Sequence, residues 1–129
     1  AALLFDGKHY PYAEIDMLGR LELMAGLAVS RRSSMRLLLD SWAALGRSAG
    51  EMFSLYCGKN ILNIFRQEHG DKKGEYIKIW ADGREDNEHL SELMPQFDSR
   101  RPDFADNLFA ALGERYQEAL SAAKAASAA

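Results

Sequence analysis

The chain has 129 residues, the length of one domain, and its 47% apolar and 27% charged residues are typical of a soluble globular domain. Its formal net charge of −3 means that the whole molecule does not attract polyanions, so any nucleic-acid contact must come from a local patch. The single cysteine excludes an intramolecular disulfide, no apolar run approaches the roughly 20 residues that span a bilayer, and the first residues lack a signal-peptide pattern. We therefore expect a cytoplasmic protein with one globular domain over residues 1–121 and an Ala- and Ser-rich tail at 122–129 that frays.

The first predicted element is a short β-hairpin over residues 3–12. Asp6-Gly7 is a pair that adopts the positive φ angles of a type I′ turn, and apolar or aromatic residues flank it. Pro11 cannot donate a ladder hydrogen bond, so the second strand is expected to end there.

Two helices are predicted next. Apolar residues recur at spacings of three and four from about Ala13 to Ala25, and Gly26 is a candidate C-terminal residue of this helix. Ser30 is a candidate N-cap of the second helix, and Gly46 is expected to end it. The apolar side of this second helix consists of Met35, Leu38, Leu39, Trp42 and Leu45.

The rest of the chain also reads as mainly helical. Residues 49–69 form a largely apolar helix that Gly58-Lys59-Asn60 could divide, and residues 75–81 have strand composition and could pair with the hairpin. A short helix over residues 85–94 and a long helix from Pro102 follow. The predicted fold is thus mainly α: a globular domain of four or five helices with a small antiparallel β-hairpin or three-stranded sheet.

A basic cluster opens the predicted second helix and suggests a function. Arginine at the start of a recognition helix can bind guanine, and serine can donate to phosphates. The predicted DNA contacts are Ser30, Arg31, Arg32, Ser33 and Arg36. The segment Leu27-Ala28-Val29-Ser30-Arg31, with Leu37 and Leu38 beyond it, resembles helix-turn-helix regulators. The resemblance implies a small homodimeric DNA-binding protein that regulates transcription and places the helix from Ser30 in the major groove. The alternatives are a solvated helix start between two core helices and a single longer helix with no turn.

A second hypothesis is a protein-protein adaptor or assembly factor that uses an apolar helical surface. The predicted partner surface is either the apolar stripe of the last helix, with Phe104, Leu108 and Tyr116 as contacts, or the apolar face of residues 49–65. A small enzyme is a third, weaker interpretation. The three histidines share no metal-ligand spacing, and no phosphate-binding loop or nucleophile motif occurs, so we predict no catalytic residue, no metal and no cofactor.

Overall fold

The computed structural model describes all residues from 1 to 129 and contains five α-helices and one two-stranded antiparallel sheet. The predicted mainly α fold with a small hairpin is confirmed. The chain divides into two compact units, Ala1–Met52 and Phe53–Ala129, which we call unit 1 and unit 2 and describe separately. The assignment of residues 1–121 to a single domain stays a prediction.

Unit 1 begins with the predicted hairpin. Strand β1 spans Ala2–Phe5 and strand β2 spans Lys8–Pro11, with Leu3 opposite Tyr10. The turn residues Asp6 and Gly7 have φ angles of 54° and 76°. Both values are positive, as a type I′ turn requires, so local sequence alone specifies this element.

Helix α1 spans Met17–Val29 and continues through Gly26. The prediction that Gly26 ends this helix is therefore wrong. The reason is packing. A Cβ atom at Gly26 would lie 3.2 Å from Cε1 of Phe5, so glycine allows the hairpin to lie close against the helix. At the other end of α1, the Asp16 side chain caps the helix by accepting a hydrogen bond of 2.8 Å from the Gly19 amide.

Helix α2 spans Met35–Ala44, and its N-cap is Ser34, four residues later than the predicted cap Ser30. The Ser34 hydroxyl accepts a hydrogen bond of 3.1 Å from the Leu37 amide. Ser30, the predicted cap, instead donates its hydroxyl to the Gly26 carbonyl and belongs to the end of α1. The core of unit 1 consists of Leu3, Leu23, Leu27 and Leu37.

Helix α3 spans Ala49–Glu68 without a break, so the suggested division at Gly58-Lys59-Asn60 is wrong. Gly58 is buried, and the side chain of Met94 lies where a Cβ atom would be. As at Gly26, the glycine is required for close packing rather than for a change in chain direction.

The strand predicted over residues 75–81 is also wrong, and the sheet has two strands rather than three. This segment makes one isolated β-bridge, between Ile79 and Glu85. Its backbone groups are used elsewhere in unit 2, because the Ile77 amide donates to the Tyr116 hydroxyl and the Trp80 amide donates to the Arg84 carbonyl. Most side chains of this segment that are typical of strands pack in the core of unit 2 rather than on the face of a sheet.

Helix α4 spans Asp86–Leu93 and helix α5 spans Phe104–Ser127. The core of unit 2 includes one stripe of α5 together with residues of α3 and α4, among them Phe65, Leu62, Leu90, Leu108, Leu112 and Tyr116. The tail predicted to fray is helical as far as Ser127, although every side chain from Ser121 onward is exposed. None of the helices combines the length and the apolar character needed to cross a membrane.

Candidate functional site

The predicted DNA contacts lie in and beside the connection between α1 and α2. Arg31, Arg32 and Ser33 precede the first residue of α2, so they do not open a recognition helix as predicted. Arg31 has a φ angle of 55°, a left-handed conformation that ends the preceding helix. The sequence missed this arrangement because Ser30 and Ser34 are both good N-cap residues, and only packing decides which of them is used.

Arg36 does lie in the first turn of α2, but its charge is engaged within unit 1. Its Nε donates to Oδ2 of Asp40 over 2.7 Å, and its guanidinium lies 5.2 Å from the centre of the Tyr12 ring. The hydrogen bond from Arg36 to Asp40, with the opposite charge of that carboxylate, raises the pKa of Arg36. Arg36 is therefore less available to a ligand than the sequence suggests.

Arg31 and Arg32 differ from every other arginine of the chain. Seven arginines form ion pairs with carboxylates. Arg20 donates to the carbonyl groups of Tyr12 and Ile15. The side chains of Arg31 and Arg32 are exposed and contact neither a carboxylate nor a carbonyl, although the Arg32 guanidinium lies 5.7 Å from the centre of the Phe5 ring. The turn thus carries two cationic groups with unused donors.

An apolar groove lies between α1 and α2 on the same side as this turn. It has a volume of about 220 Å³, and Met24, Leu27, Met35 and Leu38 form most of its surface, with Arg32 beside them. Met35 is 66% exposed and Leu38 is 39% exposed, although the sequence pattern places both on the core side of their helix. The late start of α2 explains the difference, because Leu37 and Ser41 are the residues of α2 that face the interior.

The partner surface predicted on the last helix is not available. Phe104, Leu108 and Tyr116 are all buried in the core of unit 2, and the Tyr116 hydroxyl also accepts from the Ile77 amide. This prediction is therefore corrected: the apolar stripe of α5 is a folding surface. A stripe at spacings of four residues is equally typical of a core helix, so the pattern could not distinguish the two roles.

A larger cleft lies in unit 1 between the hairpin and the start of α1. Its volume is about 550 Å³, and its apolar walls include Phe5, Tyr10 and Ile15. Three carboxylates, those of Glu14, Asp16 and Glu22, also line it, and none of them forms an ion pair. The cleft therefore combines apolar surface with uncompensated negative charge.

Unit 2 contains a buried ion pair between Arg66 and Asp86. Arg66 donates to both carboxylate oxygens of Asp86, over 2.7 and 2.8 Å, and the Tyr76 hydroxyl donates to Oδ2 over 2.9 Å. Burial of Asp86 favours its neutral form, but the hydrogen bonds from Arg66 and Tyr76 outweigh burial and lower the pKa of Asp86. All of these contacts are internal, so the cluster stabilises unit 2 and exposes no reactive group.

His89 is another buried titratable group of unit 2. Its Nδ1 lies 3.0 Å from Nη1 of Arg115, and its Nε2 lies 3.0 Å from Oδ1 of Asp82. A guanidinium only donates, so Nδ1 accepts and Nε2 carries the proton donated to Asp82. Because both ring nitrogens are occupied and the ring stacks on Trp80 at 4.5 Å, His89 joins α4, α5 and the preceding turn. The arrangement provides no free base.

The structure brings no group of three or more histidine, cysteine, aspartate or glutamate side chains into a metal-binding arrangement. No family model matches the sequence, and neither the curated proteins nor the solved structures that were compared with it give a match. The candidate binding features of unit 1 are therefore the groove between α1 and α2, the cleft between the hairpin and α1, and the exposed turn.

Proposed function

We propose that the chain is a non-catalytic adaptor that binds a helical segment of another protein in the groove between α1 and α2. One observation carries the proposal. Met35 and Leu38, two large apolar side chains, lie exposed at the edge of an apolar groove whose floor includes Leu27 of the unit 1 core. Grooves of this kind bind amphipathic helices, and methionine adapts its shape to different partners.

The charge beside the groove indicates the chemistry of the partner. Arg32 lines the groove and has no carboxylate partner in the chain, while Arg31 follows Val29 at the adjacent turn. A helix with apolar residues at spacings of three and four, and with glutamate or aspartate along one edge, would fill the groove and pair with Arg32. We place this adaptor in the cytoplasm, where the single Cys57 stays reduced.

Replacing Met35 or Leu38 with glutamate is expected to abolish binding of such a helix, because each change puts a carboxylate into the apolar groove. The probes are two designed 20-residue helical peptides with the same leucine spacing, one with a glutamate-rich polar face and one with a lysine-rich face. We expect the acidic peptide alone to shift the amide NMR signals of α1 and α2, and both variants to reduce its affinity at least about tenfold.

Leu45→Glu is the matched control, because Leu45 is 61% exposed, close to the 66% of Met35, but does not line the groove. This variant should bind the acidic peptide as the unchanged chain does. Equal binding of the acidic and basic peptides, or signals that shift only outside α1 and α2, would contradict the proposed groove.

A second candidate function is binding to double-stranded DNA, as the sequence predicts. Arg31 and Arg32 favour it, because they are exposed, adjacent and free of carboxylate partners. Because Arg31, Arg32 and Ser33 precede α2 rather than open it, the contacts that we propose for them are with phosphates rather than base edges. The affinity for DNA would therefore depend only weakly on the base sequence.

For DNA binding, the expected result is a mobility shift on mixed duplex fragments at about 50 mM salt that disappears at about 200 mM salt, because phosphate contacts release counterions. Arg31→Ala combined with Arg32→Ala should remove the shift. Arg100→Ala combined with Arg101→Ala, a pair held by Asp98 and Asp103, should leave it unchanged. The absence of any shift by the unchanged chain at low salt would eliminate this candidate.

A further inference from the structure

We propose that unit 1 associates with a second copy of this chain, with the turn at Val29–Arg31 of one copy inserted into the hairpin-α1 cleft of the next. The two surfaces are the turn, with Val29 and Arg31, and the cleft, with Glu14, Asp16 and Glu22. This inference does not depend on the groove between α1 and α2, because neither Val29 nor Arg31 lines that groove.

The turn has the composition of a small docking element. Val29, the last residue of α1, is 86% exposed, more than any other large apolar residue of the chain, although it lies only two positions after the buried Leu27. Arg31, two residues later, is fixed in a left-handed conformation and has no internal partner for its guanidinium. An apolar side chain beside a free guanidinium matches a site that has both apolar walls and carboxylates.

The cleft has these complementary properties. Its apolar surface comes from Phe5, Tyr10 and Ile15, and its volume of about 550 Å³ can hold several side chains. Glu14 and Glu22 make no side-chain ion pair within the chain, and Asp16 bonds only to the Gly19 amide. An arginine inserted here would supply the positive charge that the cleft lacks.

One copy cannot satisfy its own cleft with its own Arg31. Arg31 follows the last residue of α1, whereas Glu14 and Asp16 precede its first residue, and a helix of this length separates its ends by about 20 Å. Arg32 is not part of the inserted element, because its guanidinium already lies 5.7 Å from the centre of the Phe5 ring at the wall of its own cleft. Because the two surfaces are different, the contact is heterologous, so copies join head to tail into a ring or an open chain. The inserted element is small, and interfaces of less than about 1,200 Å² are typically weak and transient.

The test is a charge reversal in each surface followed by mixing, with mass measured by sedimentation velocity over a concentration series at about 50 mM salt. The turn variant carries Arg31→Glu, and the cleft variant carries Glu14→Arg and Glu22→Arg. We expect the unchanged chain to grow in mass with concentration, and each variant alone to dissociate at least about tenfold more readily, because like charges then face each other.

An equimolar mixture of the two variants should restore the association, since the acidic turn of one then meets the basic cleft of the other. Arg100→Glu combined with Arg101→Glu, charges outside both surfaces, is the control that should associate as the unchanged chain does. All five substituted residues are exposed, and circular dichroism checks that each variant is folded. A constant monomer mass for the unchanged chain, or a mixture that stays dissociated, would overturn the proposal. The cleft variant keeps Arg31 and Arg32, so DNA binding that this variant retains while its self-association is lost would separate the two activities.

Discussion

Replacing Asp86 with alanine is expected to lower the free energy of unfolding of unit 2 by about 3–5 kcal/mol. The change removes the carboxylate that two nitrogens of Arg66 and the hydroxyl of Tyr76 contact, and it leaves the guanidinium of Arg66, whose side chain is only 21% exposed, without a counterion. An unpaired charge at a largely buried position costs more than the ion pair contributes.

The free energy of unfolding that Asp86→Ala removes should become smaller as the pH falls. The pKa of Asp86 is lower in the folded chain than in the unfolded chain, where aspartate has a pKa of about 3.9. The ionised form therefore stabilises unit 2 fully above that value, and the stabilisation is lost as the pH falls below about 4 and then through the folded pKa. The difference in free energy of unfolding between the unchanged chain and the Asp86→Ala variant should therefore become smaller in that acidic range.

Urea unfolding followed by tryptophan fluorescence measures this effect. The chain has two tryptophans, Trp42 in unit 1 and Trp80 in unit 2, so a Trp42→Phe background reports on unit 2 alone. Glu114→Ala, an exposed change on α5, is the control and should alter the free energy by less than about 0.5 kcal/mol. Adding Arg66→Met to Asp86→Ala should restore part of the lost free energy of unfolding, because it removes the guanidinium that has no counterion. An Asp86→Ala variant as stable as the control would show that the ion pair does not stabilise unit 2.

Replacing Phe65 with alanine should also cost about 3–5 kcal/mol, because it empties the centre of the unit 2 core. Phe65 is fully buried, and its ring contacts those of Tyr116, Phe109 and His69 at centroid distances of 5.5, 5.1 and 4.0 Å. Its removal would leave a cavity that fixed aromatic neighbours cannot fill by small movements.

Phe53→Ala is a matched control for this experiment, since Phe53 lies on the same helix but is 54% exposed. It should lower the free energy of unfolding by less than about 1 kcal/mol. The same urea titration reports both variants, with the Trp80 signal as the measure. Equal losses at Phe53 and Phe65 would mean that the two positions are similarly buried, contrary to the structure.

The ion pair of Arg66 and Asp86 and the core around Phe65 use most of the buried polar and aromatic side chains of unit 2. Asp86 and His89 contact internal partners, and the rings of Phe65, Trp80, Phe104 and Tyr116 lie in the core. The proposed binding surfaces lie in unit 1, where α1 and α2 expose apolar side chains and where Arg31 and Arg32 have no carboxylate partner. In unit 2, α3 also exposes apolar side chains, those of Phe53, Leu55, Tyr56 and Ile64.

The amino-acid sequence by itself determined the features that depend on neighbouring residues. Asp6-Gly7 specified the hairpin turn, and the helical spacings specified a mainly α fold. Local conformation follows from local chemistry in these cases, because a positive φ angle or a repeat of three and four residues needs no distant contact.

Only the tertiary structure decided where α2 begins, which apolar stripes are buried and what the glycines do. Gly26 and Gly58 read as helix-ending residues, yet Phe5 and Met94 pack against them within continuous helices. Similarly, an apolar helix face has the same pattern whether it packs internally, as at Leu108, or stays exposed, as at Met35. Burial depends on residues far away along the chain, and that dependence is the physical reason why sequence pattern could not locate the binding surface.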